Sequence, residues 1–300
     1  MLLTKRRLIC GIPVNEITNA TIEDKPAPLL VFYHGWTSDK ENASNFASVL
    51  VKSGFRLVFP DAAYHGERSK TKLFMWDAHY IFSSILETAK EFPCIIDYYH
   101  QKNLIQADFI AVAGISMGGL ITNVILRKYP EVKAAGSLMG TPCLSKYAEW
   151  ISLEGVWNLM EEIENFYPNL TTPDERIAQG IFNKEVDLIT NMIPQLADWD
   201  LSKKPEKLAG KPVFYWHAKP DPLVPYQLTA KFFDQVKDLS EAKNIYLKAD
   251  PTGTHTVPLV EFRRLTEFLK LSYRMISNSN RKTNLSELWT LTNQNIENPK

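Results

Sequence analysis

The chain of 300 residues has no excess of charge of either sign, because 34 Lys and Arg residues balance 34 Asp and Glu residues. A nucleic-acid-binding protein needs a basic excess on one face, so the balance argues against a nucleic-acid partner. No run of about 18 apolar residues occurs, and no apolar stretch of signal-peptide length follows the basic residues near the start. We therefore expect no membrane partner and a cytoplasmic location.

Cysteine is scarce, and its positions form no recognisable pair. The three cysteines, Cys10, Cys94 and Cys143, are odd in number and widely spaced. They have no metal-binding spacing, so we expect reduced thiols that serve as small buried hydrophobic groups in a reducing compartment.

Motifs for metals and nucleotide cofactors are lacking as well. The six histidines show no His-Glu-x-x-His or similar metal spacing. The segment Gly114–Gly119 has the spacing of a phosphate-binding loop, but Leu120 and Ile121 stand where lysine and Ser or Thr are required. We therefore expect neither a metal nor another cofactor.

Short apolar runs alternate with longer amphipathic segments. Near-continuous apolar runs indicate strands buried on both faces, as in a parallel sheet covered by helices. These runs are 29–33, 55–59, 109–113, 134–139, 212–216 and 245–247. Helical patterns cover about 40–53, 76–102 with an expected break at Pro93, 117–129, 226–238 and 256–271. The alternation predicts a doubly wound α/β fold.

One region interrupts this alternation. Residues 141–205 carry helical, aromatic-rich patterns without a strand, and we interpret them as a helical cap insertion over the carboxyl edge of the sheet. An ordinary layer of core-packing helices is an equally good interpretation. The predicted core is then 1–140 together with 206–271. Residues 272–300 form a polar C-terminal extension with one short apolar cluster, consistent with a frayed tail carrying one docked helix.

A serine lies between glycines directly after the apolar run 109–113, in Gly114-Ile115-Ser116-Met117-Gly118-Gly119. Glycines on both sides allow a strand and a helix to approach closely around a sharp turn that exposes the hydroxyl. This is the nucleophile-elbow pattern Gly-x-Ser-x-Gly. The plain alternative is a helix N-cap serine, but the preceding strand and both glycines favour a nucleophile.

A serine hydroxyl needs a base, and the base needs an orienting group. Asp221 follows the predicted strand 212–216, and His255 follows the predicted strand 245–247. Catalytic groups of open α/β sheets gather at the carboxyl ends of the strands, where we expect Ser116, Asp221 and His255 to meet. Asp250 is the rival acid, but it shares the loop of His255.

The oxyanion formed on a carbonyl requires hydrogen-bond donors. The amide of Met117 opens the predicted helix after Ser116, where the helix dipole favours negative charge. The second donor is predicted to be the amide of Trp36, after His34-Gly35, with Thr37 as the alternative.

Four further residues are candidates for the substrate pocket. We interpret His34 mainly as a brace for the oxyanion loop and His65 as structural or pocket-lining. Trp150 and Trp157 belong to the aromatic segment that would wall the pocket and favour apolar acyl or alcohol groups. His79 and His100 fall in helical patterns and are interpreted as surface or core residues, whereas His217 ends a predicted strand and is expected to be buried near the site without reacting.

Five motifs together carry a resemblance to a known family: 34–36, 60–68, 114–119, 217–225 and 253–255. Over roughly residues 8–271 the chain resembles α/β-hydrolases, in particular bacterial YitV/YjfP-type esterases related to dienelactone hydrolases. The resemblance implies carboxylic-ester hydrolysis through Ser116, Asp221 and His255 without a cofactor. Ala218 departs from the usual His-Gly-x-x-Asp turn, and the tail is longer than the core fold needs.

These motifs predict a serine esterase that cleaves a small-molecule ester through an acyl-enzyme. A peptidase, thioesterase, acyltransferase or dienelactone-type hydrolase could use the same residues. A non-catalytic ligand-binding protein is the alternative from another class, and it predicts a missing member of the Ser-Asp-His set. The sequence indicates no oligomeric state.

Overall fold

The computed structural model describes residues 1–69, 78–155, 175–277 and 285–297. These residues form one eight-stranded sheet with strands β1 Leu2–Ile9, β2 Ile12–Asn19, β3 Ala27–Tyr33, β4 Arg56–Pro60, β5 Ile105–Ile115, β6 Val132–Leu138, β7 Val213–Ala218 and β8 Ile245–Asp250. Their order is β1-β2-β4-β3-β5-β6-β7-β8. Strands β3 to β8 are parallel, whereas β1 and β2 are antiparallel additions at one edge.

Helices cover both faces of the sheet, and this confirms the predicted doubly wound α/β fold. Their bounds are α1 Lys40–Ser44, α2 Ala47–Leu50, α3 His79–Gln101, α4 Met117–Lys128, α5 Leu144–Trp150, α6 Glu175–Ala197, α7 Tyr226–Val236, α8 Leu259–Ser277 and α9 Leu285–Glu297. None of the described helices is long and apolar enough to cross a bilayer.

The central strands supply two cores because successive side chains point to opposite faces. In β3, Leu29 and Val31 pack with the α3 and α4 side chains, whereas Leu30 and Phe32 pack with Phe262 of α8. All four β3 side chains are 0–1% exposed. Burial of each one stabilises the fold by roughly 1.5–3 kcal/mol, which fixes the strand ends that position the site.

The antiparallel edge was not predicted from the sequence. Strand β1 alternates exposed and half-buried residues, and its basic stretch hides the period-two pattern of a strand. The hairpin turns at Cys10 and Gly11, whose φ angles are 52° and 79°. Paired left-handed residues of this kind match the twist of a two-residue hairpin.

The expected break at Pro93 is wrong. Helix α3 runs without interruption from His79 to Gln101. Phe92, Ile95 and Ile96 flank the proline and are all buried in the same core. Tertiary packing on both sides of Pro93 therefore outweighs the local cost of a missing N–H donor.

The expectation of three reduced, buried thiols is wrong for two of them. Cys10 and Cys94 form a disulfide across 84 residues, with their Cα atoms 6.5 Å apart. Cys10 is exposed and Cys94 is half-buried, while Cys143 is a buried free thiol as predicted. The β1–β2 turn brings the pair together, and that turn was absent from the predicted elements. The predicted cytoplasmic location loses the support of reduced thiols and stays a prediction.

The predicted cap, 141–205, and the predicted C-terminal extension, 272–300, both contain helices in the part that the structure describes. The described part of 141–205 contains α5, a π-helical turn at Ile151–Gly155, α6 and a 3-10 turn at Leu201–Lys203, and a second 3-10 turn begins at Pro205. Glu185 of α6 accepts hydrogen bonds from the backbone N–H and Nδ1 of His79 on α3. Trp289 of α9 packs edge-on against Phe268. The division into core, cap and extension stays a prediction.

Candidate active site

Ser116 lies on a sharp turn between β5 and α4. Its φ of 54° and ψ of −118° place it in a conformation that serine rarely adopts. Its N–H donates to the carbonyl of Leu138 in β6 at 2.8 Å, which fixes the turn. A methyl group on Gly114 would overlap the backbone of Gly118, and one on Gly118 would overlap the carbonyl of Tyr33. Only glycine at both positions lets the strands and α4 close around this serine.

The structure brings Ser116, His255 and Asp221 together, as predicted from the strand order. Ser116 Oγ lies 2.8 Å from His255 Nε2. His255 Nδ1 lies 2.8 Å from Asp221 Oδ2 and 2.9 Å from Oδ1. The His255 side chain is 15% exposed and that of Asp221 is 0% exposed. A substrate can therefore reach the serine and the imidazole, while the carboxylate stays sealed from water.

The Asp221 carboxylate is held by its own turn. Oδ1 accepts the backbone N–H groups of Leu223 and Val224, each at 2.9 Å. Burial tends to raise the pKa of this carboxyl, but hydrogen bonds from His217 and His255 and the amide of Val224 outweigh burial and hold the pKa well below its usual range. Asp221 is therefore ionised throughout the neutral pH range.

Asp250, the rival acid, has a different environment. Its Oδ1 accepts the N–H groups of Thr252 and Gly253 at 2.9 and 3.0 Å. A methyl group on Gly253 would lie 3.0 Å from Asp250 Oδ2 and 3.3 Å from the Cβ of Ala218. Asp250 thus shapes the turn before His255, and the imidazole is bonded to Asp221 instead.

The loop after β3 passes against the nucleophile. A methyl group on Gly35 would lie only 3.5 Å from the Cβ of Ser116. Met117 is the first residue of α4 and is 1% exposed. These positions agree with oxyanion donors at Trp36 and Met117, and the donor assignment itself stays a prediction.

His34 braces this loop and does not line an open pocket. It is 0% exposed, with Nδ1 2.8 Å from the Gly35 carbonyl and Nε2 3.0 Å from the Ala62 nitrogen. Because the Ala62 N–H must donate, Nε2 carries no hydrogen and the ring is the neutral Nδ1–H tautomer. Burial lowers the pKa of His34 to about 4, and the contacts of its ring agree with the interpretation as a brace for the oxyanion loop.

His65 is likewise internal. It is 3% exposed, its Nδ1 lies 2.9 Å from the Ala63 carbonyl, and its ring meets the Trp36 ring edge-on at 4.9 Å. Burial, with the neighbouring His34, lowers the pKa of His65 to about 3. His65 therefore supports the Trp36 ring from inside the protein, in agreement with the structural alternative of the two predicted for it.

Trp150 stacks on Tyr147 with ring centroids 6.1 Å apart, and its Nε1 donates to Glu154. Burial, together with the charge of Asp221, raises the pKa of Tyr147. Tyr147 is therefore a neighbour of the site that the sequence analysis did not identify. Trp157 lies outside the described residues. Helix α5 thus approaches the acid end of the Ser-His-Asp array.

The motif around Asp61 is a structural clamp beside the site. Asp61 is 0% exposed and accepts both the backbone N–H and the Nζ of Lys40, at 2.9 and 3.0 Å. The Glu67 N–H adds a third bond at 3.1 Å. A methyl group on Gly66 would overlap this carboxylate, which explains why position 66 holds a glycine in this chain. No metal-binding cluster of His, Cys, Asp or Glu occurs in the described ranges.

The sequence is similar to a known protein family and to two curated esterases. A family model described as alpha/beta hydrolase fold matches residues 28–160. "Putative esterase YitV" of Bacillus subtilis is 29% identical over 272 residues, which cover 90% of this chain and 99% of that protein. "Esterase YjfP" of Escherichia coli is 26% identical over 261 residues, covering 86% and 94%.

Among solved structures, TT1662 from Thermus thermophilus superposes with a TM-score of 0.67 at 16% identity. The match covers 91% of this chain and 98% of that chain, and at this identity it bears on the fold alone. Three observations indicate the same fold: the mostly parallel sheet, the serine turn after β5 and the match to both esterases. The chain has the α/β-hydrolase fold, and its sequence is similar to two esterases over most of its length.

Proposed function

We propose that this hydrolase cleaves carboxylic esters through an acyl-enzyme on Ser116. The observation that carries the proposal is the unbroken series of contacts from Ser116 Oγ to His255 Nε2 and from His255 Nδ1 to Asp221, both at 2.8 Å. A hydroxyl bonded to an imidazole that is itself bonded to a buried carboxylate is the arrangement that acyl transfer needs.

Acylation begins when Ser116 Oγ attacks the ester carbonyl carbon while His255 Nε2 takes the hydroxyl proton. Asp221 accepts the Nδ1–H bond and stabilises the imidazolium. The amides of Met117 and Trp36 would hold the negative oxygen of the tetrahedral intermediate. As the intermediate collapses, the C–O bond to the leaving group breaks and the imidazolium protonates the departing alcohol.

Deacylation repeats these steps with water. His255 removes a proton from a water molecule, whose oxygen attacks the acyl carbon. Collapse of this second intermediate breaks the bond to Ser116, and the imidazolium returns the proton to the serine oxygen. The carboxylic acid leaves, and the enzyme is regenerated without any cofactor.

The substrates are proposed to be small or apolar esters. Tyr147 of α5 lies within the influence of the Asp221 charge, and Trp150 stacks on Tyr147. This arrangement supports the interpretation of 141–205 as a cap over the core 1–140 and 206–271. A series of nitrophenyl esters of increasing acyl length tests this proposal. A sharp loss of kcat/KM beyond short acyl groups indicates a closed cap, whereas equal rates for all lengths contradict it.

The decisive test of the reaction is the loss of activity in Ser116→Ala. Turnover of a nitrophenyl ester should fall by roughly 10⁴-fold or more, and covalent labelling by a fluorophosphonate should disappear. Ser240→Ala, a change at an exposed serine on another loop, is the matched control and should retain both. Undiminished turnover or labelling of Ser116→Ala would remove this serine from the mechanism.

The same two assays separate the other functions. A peptidase or thioesterase labels with fluorophosphonate but prefers a peptide or thioester over the oxygen ester. An acyltransferase yields a new ester when an alcohol acceptor is added. A non-catalytic ligand-binding protein has no reason to activate Ser116 and would not label.

A further inference from the structure

A second histidine touches the carboxylate of Asp221. His217 ends β7 and is 0% exposed. Its Nε2 lies 2.7 Å from the carbonyl oxygen of Val224 and 3.3 Å from Asp221 Oδ2. A carbonyl oxygen can only accept, so Nε2 carries the hydrogen and donates toward both oxygens.

This contact completes a cage around the carboxylate. Leu223 and Val224 donate their N–H groups to Oδ1, and His217 reaches Oδ2 from the strand below. The bond to the Val224 carbonyl also ties the far end of the turn back to β7. Without His217, Oδ2 would keep the His255 bond alone, and the carboxylate plane could rotate.

We propose that His217 is a positioning residue that fixes the orientation of the Asp221 carboxylate, and through it the His255 imidazole. This inference rests on the proposed function, because it concerns the same acid. Asp221 is the member of the Ser-His-Asp array that His217 contacts, so its effect on the serine passes through this carboxylate.

The remaining sides of the ring are occupied by neutral groups. Thr229 Oγ1 of α7 lies 3.4 Å from Nδ1, and the Tyr226 ring meets the imidazole edge-on at 5.8 Å. Asp221 is thus the charged group that faces His217 among these contacts. A ring that only filled the core would affect stability when it is replaced. A ring that positions Asp221 would affect kcat as well, and the effect would depend on the Nε2–H donor.

The kinetic test compares variants that keep or remove the Nε2–H donor. His217→Gln retains an amide donor near that position, while His217→Met and His217→Leu have similar size and no donor. We expect the two non-donors to lower kcat about 10- to 100-fold with little change in KM, as when a group that orients a catalytic side chain is lost. His217→Gln should recover most of this loss.

Thr229→Val is the matched control, because it alters the Nδ1 side of the ring and leaves the Asp221 contact intact. Its kcat should stay within about threefold of wild type. Equal kcat in His217→Met, His217→Gln and wild type would overturn the proposal. So would a fall in thermal stability alone, without the donor-dependent change in kcat.

A readout without substrate separates this inference from the proposed function. The proton between His255 Nδ1 and Asp221 gives a low-field proton NMR resonance, assigned by its loss in His255→Gln. It should shift or broaden in His217→Met and remain unchanged in Thr229→Val. An unchanged resonance in His217→Met contradicts the positioning role. A wild-type protein that hydrolyses no ester contradicts the proposed function and leaves the NMR result decisive for His217.

Discussion

At the scale of single residues, two carboxylates at the carboxyl edge of the sheet have different roles. Asp221 contacts the imidazole of His255, whereas Asp250 accepts hydrogen bonds from the turn that carries it. The sequence favoured Asp221 because it arrives from a separate strand, and the structure shows the physical result of that difference. Only one of the two acids can orient the base.

Asp221→Asn should therefore lower kcat by roughly 10⁴-fold, since the amide cannot favour the Nδ1–H tautomer or stabilise the imidazolium. Asp250→Asn keeps an oxygen acceptor for Thr252 and Gly253, and should stay within about threefold of wild type. Steady-state kinetics on one nitrophenyl ester checks both variants. The assignment fails when Asp250→Asn is the more damaging change.

The pKa of Asp221 lies well below its usual range, so this carboxyl remains charged as the solution is made mildly acidic. Protonation of Asp221 therefore does not account for a loss of kcat/KM on the acid side of the pH profile. This residue-scale property could not be predicted from the sequence, because it depends on His217 and two turn amides meeting one carboxylate.

At the scale of elements, two loops form the wall on the oxyanion side. His34 joins the loop after β3 to the loop after β4 by bonding both Gly35 and Ala62. The rings of His34 and His65 lie 5.2 Å apart and are both buried. The contact between these loops therefore requires neutral histidines.

The same burial predicts that stability falls in acid. The pKa of His34 drops from 6.5 to about 4 on folding, and that of His65 from 6.5 to about 3. Between these values the unfolded chain binds more protons, so the stabilisation is fully present above pH 6.5 and is lost as the pH falls. The free energy of unfolding should drop by roughly 1 kcal/mol per histidine from pH 7 to pH 5.5.

Urea unfolding at both pH values measures this difference. His34→Gln should be less stable at neutral pH, yet lose less stability between the two pH values than wild type. His100→Gln, at an exposed position of α3, is the control and should leave the difference unchanged. An identical difference in wild type and His34→Gln would contradict the prediction.

Elements differed in how well the sequence predicted them. Buried parallel strands such as β5 are continuous apolar runs, and their ends fixed the places of Ser116, Asp221 and His255. Strand β1 is half exposed and basic, so tertiary pairing with β2 defines it more than its own pattern does. Helix α3 similarly continues through Pro93 because its flanking side chains are buried, a cause that no local pattern contains.

At the scale of the whole molecule, the edge hairpin is fastened to the helical layer by a disulfide. Cys10 lies in the β1–β2 turn and Cys94 in α3, at a sequence separation of 84. This bond joins the antiparallel edge to the element that covers the central strands. The sequence could not reveal the pairing, because an odd cysteine count and wide spacing fit reduced thiols equally well.

Breaking this link should destabilise the protein without altering the site. Closing a loop of 84 residues restricts the unfolded chain by about 4.5 kcal/mol in the chain-entropy treatment. Cys10→Ser with Cys94→Ser should therefore lower the midpoint of chemical unfolding, and dithiothreitol should do the same to wild type while leaving the double variant unchanged. Ester hydrolysis under native conditions should be retained in both, since the bond lies at the sheet edge away from β5, β7 and β8.

Mass spectrometry of the non-reduced digest identifies the linked peptides. A wild-type midpoint insensitive to reductant would show that the hairpin and α3 are held by packing alone.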